Sequence, residues 1–123
     1  CGGKKEGGFY LPTLLTGVKD DMKVCAEEIF GPVVTLDSFA TFEEVVDKVN
    51  NTKFGLQAGV FTNLVSEMDH AFNNLNVGGV VLNDMPTYRA DHMPYGGVKD
   101  SGLGREGIRY AIMEMMEPRI LVK

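Results

Sequence analysis

Short apolar runs alternate with amphipathic stretches along most of this chain. Residues 1–24 are rich in Gly and Lys, then mixed at Phe9-Tyr10-Leu11-Pro12, and carry few helical signals; they have room for a short strand or two. Val33-Val34-Thr35-Leu36 is a β-branched run after Gly31-Pro32 and reads as a buried strand. Thr41 followed by Glu44 forms a capping box, and Phe42, Val45, Val46 and Val49 then fall on one helical face. That helix should stop near Asn50-Asn51, before Gly55. Ala58-Gly59-Val60-Phe61-Thr62 is a second strand candidate. Asn63 is placed to cap a second helix, whose buried face would hold Leu64, Met68, Ala71, Phe72 and Leu75. Gly78-Gly79 turns the chain into Val80-Val81-Leu82, a third strand. A polar, Pro-containing loop runs from Asn83 to Ser101. Ile108, Ala111, Ile112 and Met115 mark a third helix, stopped by Pro118, and Ile120-Leu121-Val122 reads as a last strand.

The order is strand, helix, strand, helix, strand, long loop, helix, strand. Continuous apolar strands between amphipathic helices predict an α/β fold with an open, mostly parallel sheet and helices on both faces. Ligands in such sheets sit beyond the carboxyl ends of strands. The loops after Phe39, Thr62 and Asn83 are therefore the candidates, and the long one after Asn83 is the strongest.

Composition narrows the class without naming a chemistry. Of 123 residues, 44% are hydrophobic and 24% charged, and the net charge of −5 is spread rather than blocked. No basic patch points to nucleic acid. No apolar run approaches the roughly 20 residues of a membrane helix, and Cys1-Gly2-Gly3-Lys4-Lys5 has no signal-peptide core. Cys1 and Cys25 read as reduced thiols of a cytoplasmic protein, and no metal-ligand spacing occurs.

Several residues invite a chemical role. Gly102-Leu103-Gly104-Arg105-Glu106-Gly107 matches G-x-G-x-x-G, yet no strand directly precedes it and no acidic partner follows about 20 positions on. It reads instead as a segment that lets a helix come close to other backbone. Cys25 precedes Ala26-Glu27-Glu28, and nearby acids disfavour a thiolate, so it is taken as structural. His92 has no evident Ser or Cys partner. Arg89 suits a carboxylate or phosphate because its planar fork matches two oxygens; a solvated surface Arg is an equal alternative. Glu27-Glu28-Ile29-Phe30-Gly31-Pro32 presents an acid and an aromatic two positions apart, a corner that can accept from sugar hydroxyls and lie against a ring.

The chain resembles the C-terminal portion of aldehyde dehydrogenases. The resemblance rests on Glu27-Glu28-Ile29-Phe30-Gly31-Pro32-Val33, Asn50-Asn51, Phe54-Gly55-Leu56, Val60-Phe61-Thr62, the run Pro94-Tyr95-Gly96-Gly97-Val98-Lys99-Asp100-Ser101-Gly102, and Gly104-Arg105-Glu106-Gly107. These occur in the family's order across essentially the whole chain. The resemblance implies oxidation of an aldehyde to an acid: a Cys thiolate attacks the carbonyl, a hydride passes to NAD or NADP, and water releases the acyl group with a Glu as base. It places Glu28 on the nicotinamide ribose, Phe30 and Leu56 beside the nicotinamide, and Tyr95 in the substrate pocket.

It also implies what these residues lack. The family's nucleophilic Cys, base Glu, oxyanion Asn and Rossmann half lie upstream of the corresponding motif. No catalytic residue is therefore assigned here, and the chain alone is expected to be inactive. The alternative is a non-catalytic oligomerisation or regulatory module derived from the family. Residues 1–117 would belong to the catalytic domain and 118–123 to the closing strand of an oligomerisation arm, in a homo-oligomer. Arg89 and His92 make the loop 85–93 polar, which suggests a small hydroxylated or anionic aldehyde.

Overall fold

The computed structural model describes residues 1–123, which fall into two compact units, 1–41 and 42–123. In the first, β1 (Lys5–Glu6) and β2 (Phe9–Tyr10) form an antiparallel hairpin. Its two-residue turn is Gly7-Gly8, and Gly7 takes the φ of +61° that such a turn demands. β3 (Thr13–Thr16) pairs in parallel with β4 (Val33–Leu36), Thr13 opposite Val33 and Thr16 opposite Leu36. The crossover between them carries a single turn, α1 (Lys23–Ala26). Thr13 is buried, and its hydroxyl both accepts from Gly3 N (2.7 Å) and donates to Leu11 O (2.8 Å). A buried hydroxyl is tolerated because it is satisfied in this way.

The second unit begins with α2 (Phe42–Asn50), followed by β5 (Gln57–Val60), α3 (Val65–Asn74), β6 (Gly79–Leu82) and α4 (Ile108–Glu114). β5 and β6 are parallel, with Gln57 opposite Gly79 and Val60 opposite Leu82. α3 lies against both α2 and β6, and the buried hydrophobic side chains are Val46 of α2 and Ala71 of α3. Phe42 meets His70 edge-on with ring centroids 5.9 Å apart.

The α/β class and the parallel pairing are as the sequence predicts. The strands occupy three two-stranded ladders rather than one continuous sheet. Four local expectations differ. β4, expected to be buried, exposes Val34, Thr35 and Leu36, since nothing in the first unit covers that ladder. The α3 N-cap is Leu64, not Asn63. No side chain caps α3; Thr62 instead closes a turn ahead of the helix, its hydroxyl accepting from Leu64 N at 3.1 Å and donating to the Glu67 carboxylate. On the same helix Ala71 is buried and Met68 and Leu75 are half-buried, but Leu64 and Phe72 (75% exposed) face outward. Their expected burial needs a covering layer that these residues do not supply. Ile120-Leu121-Val122 form no strand and are exposed, because a strand exists only with a ladder partner and none pairs with them here. No helix is long and apolar enough to cross a membrane.

Backbone crowding fixes the chain path around β6. A Cβ on Gly78 would sit 1.7 Å from Gly96 O, and one on Gly59 would sit 2.7 Å from Asp84 O. Gly78→Ala is expected to destabilise the chain by about 1–3 kcal/mol, the usual cost of forcing atoms into filled space. Urea denaturation checks this; an unchanged midpoint would contradict the close approach.

Candidate functional site

The segment 94–107 is held against the turn after α2 by a set of polar staples. Lys99 Nζ donates to Asn50 O (2.9 Å) and Thr52 O (3.0 Å), so an ammonium sits at the carboxyl end of α2, where carbonyls lack helical partners. Ser101 Oγ accepts from Gly55 N at 2.8 Å. Val98 N donates to Gly55 O and Asp100 N to Lys53 O, both at 2.9 Å. Asn50 extends the set to the end of α3: its amide donates to Asn74 O (2.8 Å) and its carbonyl accepts from Asn76 N (2.7 Å). Lys99 has φ +56°, a left-handed conformation that costs a non-Gly residue about 1–2 kcal/mol. Two bonds from an ammonium, each worth about 1.5–3 kcal/mol, outweigh that cost.

The Gly-rich hexamer behaves as the sequence suggests, as a means of close approach. A Cβ on Gly104 would meet the Glu114 carboxylate at 2.6 Å, and one on Gly107 would meet Met93 O at 2.6 Å. Arg105 N donates to Glu114 Oε1 (2.9 Å), and Arg105 Nη1 donates to Gly97 O (2.9 Å) and Gly104 O (2.7 Å). What precedes it is a 3-10 turn (Lys99–Ser101), not a strand.

These staples build two adjoining cavities. One, of about 310 Å³, is lined by Leu56, Tyr95, Gly96, Ser101 and Glu106 among others. The second, of about 200 Å³, is lined by Arg89, Asp91, Met93, Tyr95, Gly107 and Ile108 among others. Tyr95 is common to both. Its backbone exchanges two hydrogen bonds with Glu106, Tyr95 N to Glu106 O at 3.1 Å and Glu106 N to Tyr95 O at 2.6 Å. The Arg89 guanidinium lies over the Tyr95 ring, 4.8 Å from its centroid, and Nη2 donates to Glu106 Oε2 at 2.8 Å.

Of the six residues singled out in the sequence, Leu56 and Tyr95 share the larger cavity, and Arg89 and Tyr95 share the smaller. His92 is exposed and lines neither. Glu28 and Phe30 lie in the first unit, between α1 and the amino end of β4, so the rule that ligands lie beyond strand carboxyl ends does not reach them. Glu28 is exposed with no side-chain partner, and Phe30 is 93% exposed. Cys25 is half-buried and free, beside the acids that follow it. Residues 1–123 contain no group of His, Cys, Asp or Glu suited to a metal. Sequence reading gave no role to Lys99, Ser101 or Glu106. All three stand in the motif runs, but residue type alone does not say that a Lys meets carbonyls or that a Glu meets Arg89.

An α/β frame whose staples and cavities use these motifs defines a class, and comparison with known proteins supplies the family. The model of the aldehyde dehydrogenase family matches residues 1–121, and the chain belongs to that family. It is 55% identical over 121 residues to a 3-sulfolactaldehyde dehydrogenase of Priestia megaterium, covering 98% of this chain and 25% of that protein. Aldehyde dehydrogenase 21 of Physcomitrella patens, solved with the reaction product succinate, superposes with a TM-score of 0.90 at 47% identity, over 95% of this chain and 24% of that one. The glyceraldehyde-3-phosphate dehydrogenase GapN of Methanocaldococcus jannaschii, solved with NADP, gives a TM-score of 0.84 at 43% identity, over 94% and 25% of the two chains. The chain thus spans about a quarter of the length of the relatives it matches.

Ser101→Ala leaves the part-buried Gly55 N–H without an acceptor, which should cost about 1–3 kcal/mol. The check is a urea midpoint for the variant beside Ser101→Thr, which keeps the hydroxyl; a wild-type midpoint for the alanine variant would contradict the staple.

Proposed function

We propose that these residues form part of an NAD(P)-dependent oxidoreductase that converts an aldehyde to a carboxylic acid, and that the aldehyde is small and hydroxylated or anionic. Support comes above all from the cavity shared by Leu56 and Tyr95, one expected beside the nicotinamide and the other at the substrate. Arg89, over the Tyr95 ring at the adjoining cavity, is the group for the substrate's anionic or polar end. The names of the relatives agree in kind: one acts on a sulfonated aldehyde, and another was solved with a dicarboxylate product.

Glu28 and Phe30 fit a nicotinamide nucleoside. An exposed carboxylate without a partner has acceptors to offer to ribose hydroxyls, and an uncovered ring offers a flat apolar face. The cofactor, when bound, accepts the hydride. What these residues contribute is binding and placement: in the first unit Glu28 is the group for the sugar and Phe30 for a face of the nicotinamide, and in the second Leu56 is the cofactor-side and Tyr95 the substrate-side wall of their shared cavity. His92 is an outer polar contact of the substrate loop. None of them is a nucleophile or a base, so the 123 residues by themselves are inactive, and the reacting groups belong to the longer enzyme. The reading includes a homo-oligomer, in which Ile120-Leu121-Val122 gain the ladder partner they lack here.

In the full-length enzyme, Arg89→Ala should raise KM for an anionic aldehyde about tenfold, the loss of a charge-assisted bond of roughly 1.5 kcal/mol. A neutral aldehyde of equal size should be spared. Steady-state kinetics with the pair decides; equal effects on both would remove the anionic reading.

A further inference from the structure

We propose that Glu106, a wall of the larger cavity, is a built-in competitor for Arg89, so that an anion reaching Arg89 from the smaller cavity must contend with the carboxylate already paired with it. This rests on the reading that Arg89 receives the anionic end of the substrate. The Glu106 main chain is held beside Tyr95 through both N–H and C=O, and the Arg89 guanidinium lies over the Tyr95 ring, so the two side chains start from neighbouring positions. Glu106 Oε2 takes one Nη2 donor at 2.8 Å, and that is the only side-chain hydrogen bond of Arg89.

A carboxylate or sulfonate binds Arg best through two parallel N–H donors. If it uses the fork that Glu106 occupies, it must displace Glu106. If it uses the other fork, it lies beside a negative charge. Either way Glu106 opposes it. The opposing view is that Glu106 chiefly orients Arg89, which also lies over the Tyr95 ring; it predicts weaker anion binding when Glu106 is replaced, the opposite of competition. Asp91, which lines the smaller cavity with Arg89, adds to the negative side of the balance. The arrangement makes Glu106 a specificity-determining residue. Ubiquitous small anions gain little from an Arg that is already paired, whereas a ligand that also fills the cavity can displace the carboxylate. Arg89 and Glu106 side chains are 53% and 62% exposed, so the pair is screened and its effect is modest, about two- to fivefold in affinity.

The test is an NMR titration of the full 123-residue chain, following the Arg89 side-chain N–H and the Tyr95 ring. Isethionate is the anionic probe, and methylsulfonylethanol is its uncharged counterpart. Wild type, Glu106→Gln, Glu106→Ala and Arg89→Gln are compared. Isethionate should bind both Glu106 variants about two- to fivefold more tightly than wild type, while the neutral sulfone binds all of them alike. Unchanged amide resonances from Gly96 to Asp100 show that a variant has kept its fold, and two Glu106 variants guard against one that has not. If isethionate binds wild type and both Glu106 variants equally, or binds the variants more weakly, and Arg89→Gln abolishes binding, the competitor is refuted and the anion reading survives. Equal tightening of the neutral sulfone refutes it too, since the effect would not be one of charge. Should isethionate leave Arg89 unperturbed in every protein, the anion reading falls, and the competitor with it.

Discussion

One ammonium group holds the site together. Lys99 spans the carbonyls of Asn50 and Thr52 and so fastens the segment 94–107 to the end of α2. The partners are main-chain carbonyls with no helical donor of their own, so the interaction serves both sides: it solvates a half-buried charge and caps a helix. The left-handed backbone of Lys99 is the mark of that constraint, a local cost borne because two charge-assisted bonds exceed it. Val98, Asp100 and Ser101, close along the chain, then find their own partners in Lys53 and Gly55.

From this fastening follow the glycines and the cavities. Drawing 94–107 onto the 50–55 turn brings Gly96 O to Gly78, and a side chain at either Gly78 or Gly97 would fill space that backbone or Ser101 already occupies. With the segment seated, Tyr95 lies between the Leu56 cavity and the Arg89 cavity. The site side chains themselves contribute little to stability; Arg89 and Glu106 are an exposed pair of the kind worth at most about 1 kcal/mol. The shape of both cavities therefore depends on Lys99, which lines neither of them.

The elements legible from the sequence are those with a strong period. α2 ends at Asn50 as its pattern and the following Asn51 suggest, and β4, β5 and β6 lie within a residue or two of their apolar runs. α4 begins at Ile108, where its apolar spacing starts. The failures have a common cause in missing neighbours. Phe72 and Leu64 satisfy the helical pattern but find nothing to cover them, and Ile120-Leu121-Val122 have strand composition but no ladder. Periodicity reports what a face is suited to meet, not whether the partner is present. Of the site, Arg89 was visible as a residue type suited to an anion and Tyr95 only through the family resemblance; that the guanidinium lies over the ring was not legible. Asn63 does not cap α3, because the N-cap falls one residue later, at Leu64, where the Thr62 hydroxyl has already turned the chain by accepting from Leu64 N.

The central claim is that the Lys99 ammonium, and not the apolar packing of α2 and α3, seats the segment 94–107. Amide hydrogen exchange in wild type and Lys99→Met tests it most directly. The account predicts that Val98 and Asp100 amides, bonded to Gly55 O and Lys53 O, lose protection by at least about tenfold in the variant, while the β5–β6 ladder amides exchange as before. Equal protection of Val98 and Asp100 in the two proteins, with the ammonium gone, would contradict it.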